Sequence, residues 1–223
     1  MGGHHFFRAA AACALIVATS APAGAVATPK GSLNLLTNLS ADAECAVLAP
    51  DPPFEESRVG SSSKKVSLGG TFKVGMIDGP YSEAIKLSGT STYAPRFDGR
   101  YLKVATLSGR HQIQFSRADA VCNARFTAST THYLTFPVKK TARLQISWDN
   151  HSRAKLRIAN VYHDEQTRTQ KTGLAASGKF GIKVTPGTWT IYLQVDTTLS
   201  ESKVPANSTK TIKAPFDLKV RVD

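Results

Sequence analysis

Three short runs hold residue types that could support serine-nucleophile chemistry: Ser61-x-x-Lys64, Ser147-x-x-Asn150 and Lys171-Thr172-Gly173. In enzymes of that design a lysine takes the proton of a serine that attacks an acyl group. The chemistry needs serine and lysine on one helix face. Ser61 lies instead in the serine run GSSSKK beside turn residues, and the middle run has the wrong spacing. Neither a G-x-S-x-G elbow nor a His-Glu-x-x-His pair occurs. Past the leader described below, the histidines are His111, His132, His151 and His163, each isolated from the others. His163-Asp164-Glu165 is the one run of potential metal ligands, and adjacent strand residues point to opposite faces, so they cannot easily share an ion. The chain is read with no catalytic residue, no metal site and no cofactor. What remains is binding chemistry. Thr190, Tyr192 and Gln194 alternate with Trp189, Ile191, Leu193 and Val195, so they share the polar face of one strand; Lys179 and Lys183 hold the same polar parity in GKFGIKV. These five residues form the candidate binding face, while Trp148 and Trp189 fall in the apolar register and read as core.

The elements that must position those residues are strands. Leu144, Ile146 and Trp148 alternate with Arg143, Gln145 and Ser147, and Phe216, Leu218, Val220 and Val222 with Asp217, Lys219 and Arg221. No long segment has helical spacing, and turns recur every few residues. The pattern predicts an all-β chain, an antiparallel β-sandwich or jelly roll with one buried and one wet face per strand. GKFGIKVTPGTWTIYLQVD (178–196) predicts a hairpin about Pro186-Gly187, and Ser108-Gly109 predicts another between 102–107 and 112–117. APDPPFEESRVGSSSKK reads as loop throughout. The domain reading is a leader over 1–27, an N-terminal extension and Pro/Ser-rich loop over 28–65, and a sandwich over 66–223. A second reading divides that sandwich near residue 130.

Residues 1–27 combine a basic start, an apolar run and the small residues Ala25-Val26-Ala27, which predicts a cleaved secretory signal peptide. The unbroken apolar run, 9–17, is too short to span a bilayer, so no membrane span is expected after cleavage. Export changes the reading of the cysteines. With Cys13 removed, Cys45 and Cys122 remain, and one pair admits one disulfide. Past residue 27 there are 27 Lys and Arg against 16 Asp and Glu, and 15 of the basic residues lie in 131–223 against 7 acids. Such charge suits an anionic partner. Nucleic acid fits poorly, because the basic residues are scattered singly instead of clustering with exposed aromatics.

The last ninety residues carry YLTFPV, ARLQISW, PGTWTIYLQV and FDLKVRV. In that order they resemble the bacterial pre-peptidase C-terminal domain, over about 133–223. The resemblance implies a small secreted jelly roll serving as a non-catalytic accessory module. AKLRIANVY stands where that family carries an acidic-aromatic strand, so the acidic residues of a ligand or calcium site are missing.

These readings converge on a secreted or cell-envelope-associated, non-catalytic binding protein for an anionic envelope polysaccharide or another secreted protein. The alternatives are an exported enzyme with an unrecognised site and a secreted inhibitor acting through the 50–65 loop.

Overall fold

The computed structural model describes residues 30–41, 44–48, 55–60, 63–77, 79, 83–118, 122–200 and 204–223. The expected leader lies outside them. Among the described residues every regular element is a strand: β1 (Lys30–Ala41), β2 (Cys45–Leu48), β3 (Glu55–Gly60), β4 (Lys64–Met76), β5 (Glu83–Asp98), β6 (Tyr101–Arg117), β7 (Ala124–Val138), β8 (Ala142–Asp149), β9 (Ala154–His163), β10 (Gln166–Thr172), β11 (Ser177–Val184), β12 (Gly187–Ser200) and β13 (Ser208–Val222). They form an antiparallel β-sandwich. Sheet A has six strands in the order β10-β9-β12-β7-β1-β3, and sheet B has seven in the order β11-β8-β13-β6-β5-β4-β2. Each sheet draws strands from both sides of residue 130, and β7 runs unbroken through it.

The period of two explains the core. Leu33, Phe126, Leu134, Phe136, Ile191 and Leu193 project inward from sheet A, and Ile85, Ile113, Phe115, Ile146, Leu218 and Val220 meet them from sheet B; all are buried. Each such side chain contributes about 1.5–3 kcal/mol by leaving water. Leu144, Trp148, Trp189 and Phe216 are buried as their alternation predicts. The indole N–H groups are satisfied, Trp148 donating to Ala175 O at 2.9 Å and Trp189 to Thr185 O at 2.8 Å. The expected disulfide is present: Cys45 and Cys122 are bonded with Cα atoms 5.9 Å apart. It ties β2, at the edge of sheet B, to the residues leading into β7 of sheet A.

Two histidines are buried between the sheets. His111 of β6 lies 2.9 Å through Nδ1 from Thr197 Oγ1 on β12 and 2.8 Å through Nε2 from Thr130 Oγ1 on β7, so one imidazole from sheet B bridges two strands of sheet A. His132 of β7 donates from Nδ1 to Ser32 O at 3.2 Å, and its ring centroid stands 4.5 Å from that of Tyr93. Burial holds His111 down at about 3 and His132 at about 4.

Three sequence expectations change. The halves of 178–196 do not form a hairpin: β11 pairs with β8 in sheet B, whereas β12 pairs with β7 and β9 in sheet A. Alternation specifies which face of a strand is buried and says nothing of its partner, so a strand pair and a crossing between sheets read alike. The Pro-Gly turn suits the crossing, since tight hairpins favour other turn types. Gly187 there has φ +140, and His163 leaves no room for a Cβ. Second, Glu55–Gly60 is a strand paired with β1, although the surrounding proline and serine residues predict loop. The segment from 50 to 65 therefore does not offer one continuous loop to a target. Third, Ser108-Gly109 is no turn. β6 passes straight through it, and Gly109 is needed because the chain packs closely: a Cβ there would lie 2.2 Å from Thr90 O and 2.6 Å from the Phe216 ring. Gly109→Ala is accordingly expected to destabilise the fold by about 3 kcal/mol through overpacking, read as a lowered urea midpoint at unchanged m-value.

Candidate functional site

The outer face of sheet A is built on β12, whose Thr190, Tyr192, Gln194 and Asp196 turn away from the core because Trp189, Ile191, Leu193 and Val195 turn into it. Antiparallel register sets what stands beside them. Tyr192 lies opposite Tyr133 of β7 on one side and Asn160 of β9 on the other. One step along, Thr190 lies between Thr135 and Tyr162; in the other direction Asp196 lies between Ser129 and Lys155. Directly opposed residues have Cβ atoms about 5 Å apart and diagonal ones about 7–8 Å. Tyr133, Tyr192 and Tyr162 thus form one aromatic patch. Tyr133 is 43% exposed, unusually open for a large ring at the middle of a sheet.

Hydrogen bonds along β12 hold the polar groups in place. Tyr192 Oη donates to Gln194 Oε1 at 3.0 Å, and Gln194 Nε2 donates to Asp196 Oδ1 at 3.0 Å. Ser129 Oγ donates to Asp196 Oδ1 at 2.7 Å. Asn160 Nδ2 donates to Tyr162 Oη at 3.0 Å, and the hydroxyls of Thr135 and Thr190 are 3.1 Å apart. Side chains held by such hydrogen bonds on paired strands have less freedom to lose when a ligand lies across them. Chemically the surface can stack flat apolar faces on tyrosine and exchange hydrogen bonds with hydroxyls.

Of the five sequence candidates, Thr190, Tyr192 and Gln194 belong to this face. Lys179 and Lys183 do not. They project from β11 on the outer face of sheet B, opposite Ser147 and Arg143 of β8, on the far side of the sandwich. Their separation follows directly from the crossing at Pro186-Gly187. Tyr133, Asn160 and Tyr162 escape a reading of the sequence because they come from other strands. The outward parity of Tyr133 is visible there, but Asn160 and Tyr162 continue the apolar register of Ala154 and Leu156 and turn outward only because a β-bulge at Arg157 reverses the alternation of β9.

The remaining motifs are structural. Ser61 lies outside the described residues; Lys64 and Ser147 belong to β4 and β8 of sheet B, and Lys171 to β10 at the edge of sheet A, so these three make no common site. His163 stacks on Trp189 with centroids 4.4 Å apart, and its Nε2 is 3.2 Å from Asp164 Oδ2. Asp164 and Glu165 make the tight β9–β10 turn with φ 47 and 68. This cluster fastens that turn over the crossing. Among the described residues no three His, Cys, Asp or Glu side chains are grouped to hold a metal ion.

No family model and no curated protein sequence matches the chain. Among solved structures, it is similar to a carbohydrate-binding module of the β-sandwich superfamily described for promiscuous specificity, at 11% identity over 85% of this chain and 97% of the other, with TM-score 0.24. It is also similar to the infectious bursal disease virus VP2 subviral particle, at 12% identity over 86% of this chain and 56% of the other, with TM-score 0.25. A third likeness is to a GH31 α-xylosidase from Xanthomonas citri, at 11% identity over 72% and 23% of the two chains, with TM-score 0.18. Likenesses this remote assign no ligand, and the properties of the site rest on its own residues.

Proposed function

We propose that the protein is an exported, non-catalytic binding module that holds an extended polysaccharide across the outer face of sheet A. The observation that carries this reading is the Asn160–Tyr192–Tyr133 row, continued along β12 by the Tyr192–Gln194–Asp196 hydrogen-bond chain. Sugar rings present apolar C–H faces and a rim of hydroxyls. Tyrosine offers a flat ring with a polar tip at low entropic cost, and amide and carboxylate groups serve the hydroxyls. Export is supported by the leader pattern of residues 1–27 and by a disulfide of the kind that persists in oxidising compartments. The resemblance of 133–223 to a secreted accessory domain fits the same role, and the basic excess favours a polymer of negative charge.

Affinity electrophoresis of the mature protein against soluble polysaccharides tests the proposal. Tyr192→Ala and Tyr133→Ala are each expected to weaken retention about tenfold, roughly the effect of losing one stacking contact at the centre of a site. Retention unchanged in Tyr192→Ala would sink the assignment of this face.

A further inference from the structure

At one end the tyrosine face runs into a cleft of about 560 Å³. Four cations line it: Arg125 from β7, Lys155 and Arg157 from β9, and Arg153 from the turn before β9, with Asp196 among them. The local backbone explains how so many reach one place. Gln194 pairs with Ile158 and Val195 with Leu156, so Arg157 is the extra residue of a β-bulge. Past that bulge the alternation of β9 is reversed, which turns Asn160 and Tyr162 outward onto the tyrosine face beside the cleft, while Lys155 and Arg157 share the outward side by plain alternation. Lys155 and Arg157 both stay exposed while Leu156 between them is buried.

The single carboxylate is already engaged. Asp196 accepts from Ser129 and Gln194 and lies 3.9 Å from Arg157 Nε. Arg125, Arg153 and Lys155 form no ion pair among the described residues. Like charges gathered in a concave surface reinforce one another's field and attract an anion into it. Guanidinium groups favour planar or tetrahedral oxyanions, which they can bind through two parallel N–H donors.

We propose that this cleft is an oxyanion subsite that takes a carboxylate or sulfate ester carried by the polysaccharide on the tyrosine face. The proposal rests on the glycan-binding reading of that face and adds the charged class of its ligand. Tyr192 and Asp196 are four residues apart on one strand, about 13 Å at 3.3 Å per residue. One sugar ring cannot fill both places, so the ligand is an oligomer with its charged unit set several residues along from the stacked one.

Two matched pairs of probes test this by titration calorimetry at low salt: hexagalacturonate against its full methyl ester, and sulfated dextran oligomers against plain dextran of equal length. At least one acidic probe is expected to bind about tenfold or more tighter than its neutral partner, and the pair that shows the gap identifies the anion. Arg153→Ala/Lys155→Ala, two exposed side chains whose loss should leave the melting temperature in place, is expected to close the gap. Tyr192→Ala is expected to weaken both members of the pair. Equal binding of acidic and neutral probes, both lost in Tyr192→Ala, overturns the subsite and leaves the face. An acidic preference that survives Arg153→Ala/Lys155→Ala also overturns the subsite. Preference lost in that variant but indifferent to Tyr192→Ala keeps the subsite and overturns the face. Absence of binding to all four probes overturns both.

Discussion

Acidification from pH 7 to pH 4 is expected to cost the fold roughly 6 kcal/mol, through His111 and His132. Both imidazoles are buried and neutral, and burial lowers them to about 3 and about 4. In the unfolded chain each returns to about 6.5. Between those values the unfolded state binds protons that the folded state refuses, so stability rises with pH. It is greatest above pH 6.5 and falls as pH drops through the unfolded value toward the folded ones. Near pH 5.5 almost two protons separate the states, which gives a slope of roughly 2 kcal/mol per pH unit. Asp217 works in the opposite sense, because partial burial and the neighbouring Asp149 raise its carboxyl and the folded state then holds its proton better; the group is largely exposed and its effect is small. Urea unfolding at pH 7, 6.5, 6, 5.5 and 5 measures the slope where ordinary carboxylates hardly titrate. His111→Gln, which keeps a polar side chain near Thr130 and Thr197, is expected to lower stability at pH 7 and to halve the slope. A slope near zero in the wild type, or one unchanged in His111→Gln, would show that these histidines do not govern acid unfolding.

This sensitivity was not readable from the sequence at the level of the pair. His132 alternates with Leu134 and Phe136, so its inward direction is legible, but His111 gains its meaning only when β6 is laid across β7 and β12. The same division runs through the whole molecule. Alternation identifies buried residues strand by strand, as in Leu144–Ile146–Trp148, because facing is a local property of period two. Partnership is not local. The crossing at Pro186-Gly187 reads as a hairpin, Gly109 reads as a turn although it marks close packing in mid-strand, and β3 hides among residues that usually make loops. The candidate site inherits this asymmetry. Thr190, Tyr192 and Gln194 can be grouped from sequence because they occupy one strand. Tyr133 joins them only through register, and Asn160 and Tyr162 only through register and the bulge that turns them outward, whereas the outward parity of Lys155 and Arg157 is legible in the alternation. Lys179 and Lys183 leave the group because the chain changes sheets between them and Tyr192.

Removing the disulfide is expected to lower stability by about 4 kcal/mol, the chain-entropy value for a closed loop of this length. Cys45 and Cys122 are separated by 77 positions, and between them run β3, β4, β5 and β6. Opening the bridge gives the unfolded chain back all the freedom of that loop. The folded state also loses a local restraint. β2 is held to sheet B by four register pairs with β4, Cys45–Met76 through Leu48–Lys73, and among the described residues it has no strand on its other side. Short edge strands of this kind are held weakly by backbone bonds alone, so β2 is expected to fray before the rest of sheet B. The double variant Cys45→Ser/Cys122→Ser avoids leaving a free thiol and isolates the bridge from cysteine chemistry. Its urea midpoint should fall, and hydrogen exchange should quicken first in residues 45–48. Comparison with wild type under reducing conditions separates loss of the bond from the effect of the serines. An unchanged midpoint in both would mean that packing of Cys122 against the core, with no contribution from the covalent link, holds β2 in place. Faster exchange confined to 45–48 with an unchanged midpoint would instead assign the bridge a purely local role, as a clasp between the edge of sheet B and the entry to β7, the strand that carries Arg125 and Tyr133 into the proposed site.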